Sequence, residues 1–241
     1  MPEKGSEPMP FYYDSIYWIV LIPVLLLSLY AQFQVSASFR RYSGVPNRRG
    51  VTGAQAAQEV LRANGVTGVA VRPCAGNLTD HYDPRDNTIY LSQPVYGAAT
   101  VAAVGVAAHE AGHAVQYAQA YGPIRVRAAI IPATQFGSRF AFVALLLGLM
   151  LYSQPLFAAG IVLFGVTTVF QLVTLPVEFN ASARAMSTID GAFLLEEDER
   201  RGARKVLTAA ALTYVAALLM SLAQLLRYVL IFAGRGGDRR R

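Results

Sequence analysis

The chain has 241 residues, 54% of them hydrophobic and only 15% charged, with a mean hydropathy of +0.36. An ordinary soluble domain carries about 25% charged residues, so a disordered chain is excluded and a wholly soluble one is disfavoured. The net charge is +6, but no basic stripe interleaved with aromatics marks a nucleic-acid surface; the Arg clusters flank apolar blocks instead, and no nucleic-acid partner is expected.

The first apolar block runs from about Ile16 to Val35 without a charge, and about 20 such residues cross a bilayer. Its leader carries Glu3, Lys4, Glu7 and Asp14, unlike the positive start of a cleaved signal, so an uncleaved anchor is expected. Residues 36–122 form the soluble insert. Thr52 and Gln55 fit a capping box opening a helix that stops at Gly65. Val66 to Arg72 and Asn87 to Ser92 read as strands, with turn chemistry across Asp80–Asp86 between them. Val101 to about Ala120 is then a helix apolar almost all round, hence buried. The insert also holds Cys74, the one cysteine. A single thiol excludes an intramolecular disulfide and a Cys-based zinc knuckle.

Two apolar blocks follow, Phe140–Tyr152 (extendable upstream) and Leu156–Val177, with the tight turn of a hairpin at Ser153-Gln154-Pro155. The last block spans Val206 to about Leu226, closed by Arg227. The chain therefore divides into an anchor (1–35), an α+β insert (36–122), a transmembrane hairpin (123–177), a helix and loop (178–205), and a last span with a basic tail (206–241). The fold class expected is a mainly α membrane protein of about four transmembrane helices with a small insert ordered helix, strand, strand, helix. Three basic groups, Arg40/Arg41/Arg48/Arg49, Arg125/Arg127/Arg139 and Arg200/Arg201/Arg204/Lys205, fall on one side of four spans. The positive-inside rule makes that side cytoplasmic; the tail residues Arg235, Arg239, Arg240 and Arg241 run against it.

The buried helix carries His109-Glu110-Ala111-Gly112-His113. Histidines at i and i+4 share one face and can bind one ion, and Glu110 beside them can take a proton from water activated by that ion. Polar residues in so apolar a helix need a reason, because burying them unpaired costs roughly 1–3 kcal/mol each. Two His leave zinc under-coordinated. No third His follows; His81 lies upstream, and Glu178, at the end of the third block, is the better candidate because a carboxylate there is expensive unless paired or metal-bound. The strand Thr88–Ser92 is a candidate edge for pairing with an extended peptide. An oxyanion stabiliser is needed, with His81, Tyr82, Asn180 and Arg184 as candidates.

His109-Glu-Ala-Gly-His113, Leu78-Thr79-Asp80-His81-Tyr82-Asp83-Pro84, Leu175-Pro176-Val177-Glu178-Phe179-Asn180-Ala181-Ser182 and Leu212-Thr213-Tyr214-Val215-Ala216-Ala217 resemble the YugP-like membrane zinc metallopeptidases of bacteria. The hairpin between the histidine helix and the glutamate helix is also similar to HtpX-type membrane proteases. The resemblance implies one Zn2+ per chain, held by His109, His113 and Glu178, with Glu110 as general base. It implies a zincin-like insert and a multi-pass protein of the bacterial inner membrane that cleaves protein or peptide substrates, its active site facing the cytoplasm. Two rival functions are an inactive membrane scaffold or chaperone and a zinc transporter or sensor. The scarcity of ionisable residues inside the first three blocks argues against transport.

Overall fold

The structure is a computed structural model that describes the backbone of residues 10–237 and the side chains of 17–234. The leader charges Glu3, Lys4, Glu7 and Asp14 and the tail residues Arg235, Arg239, Arg240 and Arg241 lie outside the described side chains. In chain order the elements are α1 (Pro10–Ser43), α2 (Gly53–Ala63), β1 (Ala70–Cys74), β2 (His81–Asp83), β3 (Thr88–Ser92), α3 (Gln93–Tyr96), α4 (Val101–Ala118), α5 (Gly122–Met150), α6 (Gln154–Gly191) and α7 (Glu197–Gly237). Four stretches are long and apolar enough to cross a membrane: Tyr17–Ser43, Gly122–Met150, Gln154–Gly191 and Glu197–Gly234. The protein is a mainly α membrane protein with a small sheet, and its contacts fall into two units.

One unit gathers the described parts of residues 1–30, 130–172 and 216–241, the apolar portions of the four long helices. Ile19, Phe142 and Val162 point outward, as expected of surface that meets lipid rather than water. Where helices touch, small and hydroxylic residues make the contact: a Cβ on Gly148 of α5 would stand 2.5 Å from the Phe157 nitrogen of α6. The Thr168 and Ser221 hydroxyls hydrogen-bond between α6 and α7 at 2.7 Å, the packing that helices use where no hydrophobic effect separates them. Arg227 does not close the last span. The helix runs through it to Gly237, and the guanidinium lies 4.3 Å over the Tyr17 ring, a cation–π contact that gives the charge a partner.

The second unit comprises residues 31–129 and 173–215. The capping box forms as the sequence requires, Thr52 Oγ1 accepting from the Gln55 amide and Gln55 Oε1 from the Thr52 amide. Helix α2 lays Ala56, Ala57, Val60 and Leu61 against α4, which is buried over most of its length. The sheet has three strands in the order β1-β3-β2, one more than expected. The segment read as turn chemistry begins with a strand, β2, too short at three residues for an alternation to show. It pairs antiparallel with β3, His81 opposite Tyr90, and turns Tyr82 toward Tyr117 of α4, ring centroids 5.5 Å apart. The turn proper closes at Asn87, in the left-handed region at φ 54°, a conformation Asn tolerates. Its side chain accepts from the Tyr82 hydroxyl and donates to the Gly68 carbonyl.

A second correction follows. Strand β3 is central, with β1 parallel on one side, Ala70 opposite Thr88, and β2 on the other. Both its neighbours are filled, so it cannot be the edge that captures a peptide; among the described residues the open edges belong to β1 and β2. The basic group Arg200, Arg201, Arg204 and Lys205 lies on α7 rather than in a loop. Glu197, Asp198 and Glu199 in the first turn favour that earlier start, since acidic groups suit a helix N-terminus. Two of them also anchor the loop after α1: Arg48 forks onto Asp198 at 2.7 and 3.0 Å, and its amide donates to Glu199.

Candidate metal centre

Helix α4 opens on Thr100, whose side chain accepts from the Ala103 amide, and presents His109 and His113 one turn apart. The two rings meet edge to face with centroids 4.8 Å apart. Helix α6 crosses α4 at Gly112, where a Cβ would stand 2.7 Å from the Ala181 carbonyl oxygen. Only a residue without a side chain permits that approach, and the approach brings Glu178 to the histidines. The carboxylate is 2% exposed, and its Oε2 lies 3.3 Å from His109 Nε2 and 3.5 Å from His113 Nε2. All three donor atoms fall within 4.8 Å of one another.

These separations match a metal. Bonds of about 2.0–2.1 Å arranged tetrahedrally place neighbouring donors about 3.3 Å apart. Two imidazoles and one carboxylate are also the donor set of a catalytic zinc site, which leaves a position open. The other ring nitrogens are held from behind: His109 Nδ1 lies 3.1 Å from Ser182 Oγ, and His113 Nδ1 lies 3.0 Å from Gln116 Oε1. Outer partners of this kind fix ring orientation and tune the ligands. The second Glu178 oxygen, Oε1, faces Arg127 Nη1 of α5 at 3.8 Å, and Tyr214 of α7 interacts with the same carboxylate.

The electrostatics are those of a crowded, dry site. Burial pushes the Glu110 carboxyl above its ordinary range; His109 and His113 pull it down, while Glu178 and Asp80 push it further up. Burial opposes a charged His113, but Glu178 and Glu110 outweigh it and the imidazole is raised. Both shifts come from negative charge concentrated in little solvent, and a bound cation relieves that repulsion.

Residues 17–233 match the family model described as “Putative neutral zinc metallopeptidase”. The chain belongs to this family. It is also similar to the “Putative membrane protease YugP” of Bacillus subtilis (strain 168), 46% identical over 217 residues that cover 90% of this chain and 96% of that protein. No solved structure matches. The zinc metallopeptidase family is thus shown over nearly the whole chain, spans included.

Within this family member, the structure brings His109, His113 and Glu178 together and sets Asn180 and Arg184 beside them. Asn180 Oδ1 accepts from Gln116 Nε2 at 3.0 Å and from Arg184 Nε at 2.7 Å; Arg184 also donates to Gln119 Oε1 at 2.6 Å. Asn180 Oδ1 and Arg184 Nε are thus bonded to each other. His81 is exposed on β2, its ring stacked on Tyr90 and its Nδ1 2.8 Å from the Thr79 carbonyl. Tyr82 spends its hydroxyl on Asn87. Cys74 Sγ neighbours Thr79 instead of the histidines. Sequence reasoning missed Gln116, Ser182 and the approach of Arg127 and Tyr214 to Glu178. For the first two a signal existed: a polar residue three positions after His113 in an apolar helix, and a hydroxyl four after Glu178. Arg127 and Tyr214 carried none, because only the fold sets α5 and α7 beside α6.

Proposed function

We propose that the protein is a membrane-anchored zinc endopeptidase, with His109, His113 and Glu178 holding one zinc ion and Glu110 acting as general base. The observation that carries the reading is the approach of Glu178 Oε2 to within 3.3 and 3.5 Å of the two histidine Nε2 atoms, in a chain of the zinc metallopeptidase family. Bound there, zinc would supply Lewis acidity that makes water nucleophilic near neutral pH. Glu110, next to His109 on α4, takes the proton from that water and returns it to the leaving amine. Ser182 and Gln116 hold the imidazoles, and Arg127 offsets the Glu178 charge from the side away from the histidines. With β3 filled on both sides, the strand offered to an extended peptide is β2, which packs beside α4.

The test is direct. Purified protein should carry zinc near one equivalent and cleave an unfolded protein substrate. A strong chelator should abolish cleavage and added zinc should restore it. Protein without zinc, or cleavage indifferent to the chelator, sinks the proposal.

The three internal basic groups support an active site on the cytoplasmic face of a bacterial inner membrane. Cys74, the single thiol, reports this. A membrane-impermeant maleimide should label it only after intact cells are permeabilised; labelling from outside would reverse the orientation.

A further inference from the structure

Gln116 is fully buried, three residues after His113 on α4, and every one of its side-chain contacts has a defined polarity. Its Nε2 donates to the Val177 carbonyl at 2.7 Å, and a backbone carbonyl can only accept. The same nitrogen donates to Asn180 Oδ1 at 3.0 Å. That oxygen is itself fixed as the acceptor, because its other partner is the Nε of Arg184, and a guanidinium can only donate. Both contacts exclude a flipped amide. Oε1 of Gln116 therefore faces His113 Nδ1 at 3.0 Å and must accept from it. The proton of a neutral His113 then sits on Nδ1, and Nε2 turns a lone pair toward Glu178 Oε2, 3.5 Å away. Two acceptors facing each other repel, and a cation between them removes the repulsion.

We propose that Gln116 is a positioning residue for His113. Aimed by the Val177 carbonyl and by Asn180, it selects the Nδ1–H tautomer and so presents Nε2 to the metal. The inference rests on the zinc reading above and deepens it. It also assigns Asn180 and Arg184, candidates for contact with substrate, to the support of a ligand. Val177 and Glu178 are adjacent on α6, so the backbone that carries one proposed ligand also orients another.

The test uses the full chain in detergent micelles. Zinc affinity is measured by competition with a chromophoric chelator, and the His113 tautomer from nitrogen shifts of 15N-histidine-labelled, metal-free protein at a pH where the ring is neutral. Wild type should bind one zinc and show His113 protonated on Nδ1. Gln116→Leu, similar in size but unable to accept, should mix the tautomers and weaken zinc about 10–100-fold, the usual cost of losing an outer partner. Gln116→Glu, with one carboxyl oxygen protonated and donating to the Val177 carbonyl, keeps an acceptor against Nδ1 and should retain the tautomer, with zinc bound more tightly than by Gln116→Leu. If Gln116→Leu fails to fold, the tautomer in Gln116→Glu alone decides. A wild-type tautomer and affinity in Gln116→Leu would overturn the inference while leaving the zinc site standing, as would a mixed tautomer in Gln116→Glu, which points to packing. Wild-type protein that binds no zinc would overturn both.

Discussion

Glu110→Gln should lower kcat by about 10²–10⁴-fold, the contribution typical of a positioned general base, while zinc stays bound at its wild-type stoichiometry. The substitution keeps the size of the side chain and removes only its capacity to take a proton. The proposed ligand atoms belong to His109, His113 and Glu178, and the substitution leaves all three in place. KM should change far less than kcat, because the proton transfer belongs to the transition state. Steady-state kinetics on an unfolded protein substrate, paired with metal analysis of the same preparation, checks both halves. The variant should also retain substrates long enough to be recovered with it from membranes. Equal cleavage by wild type and variant would remove Glu110 from the mechanism. A cellular role that survives the substitution would favour the scaffold or chaperone alternative, in which the metal site outlives its chemistry.

Glu178→Ala should fail differently, losing metal and cleavage together. Its Oε2 stands within 3.5 Å of both imidazole Nε2 atoms, and two histidines alone leave zinc without its third protein ligand. The loss of affinity should exceed the roughly 10–100-fold that an outer partner costs, so zinc should not survive purification. Glu178→Asp retracts the carboxylate by one methylene and should retain part of the affinity, because α6 cannot move toward α4: Gly112 already lies against the Ala181 backbone. Metal content and chelator competition separate the three proteins. A Glu178→Ala protein that holds one zinc and cleaves would exclude Glu178 as a ligand. The contrast between Glu110→Gln and Glu178→Ala is informative in itself, since one loses chemistry with the metal in place and the other loses the metal.

Much of this site was legible in the residues. A charge-poor chain makes every buried ionisable group costly, so His109, Glu110 and His113 stood out in α4, as did Glu178 in the apolar run before it. Helical periodicity put the two histidines on one face. The spans could be read because a bilayer imposes length and apolarity on each one locally. A hairpin turn and the capping box at Thr52 were legible for the same reason, each being made by neighbours in sequence, although the turn lies at 151–153 and Gln154 and Pro155 already open α6. The strands were harder. β2 has three residues, and the central place of β3 depends on partners 5 to 9 positions away on one side and 18 on the other. No local pattern separates a central strand from an edge.

The sequence by itself determined the low charge, the four apolar spans and the residue types able to bind a metal and move a proton, because periodicity, span length and the cost of burying charge act along a short stretch of chain. The approach of Glu178 to the histidines, the turn of Asn180 to Gln116 with Arg184 behind it, and the meeting of Arg127 and Tyr214 with the same carboxylate come from the tertiary structure alone. Those facts hang on the approach of α6 to α4 at Gly112 and Ala181, a contact between residues far apart in the chain whose geometry is fixed by packing, to which no run of neighbouring residues testifies.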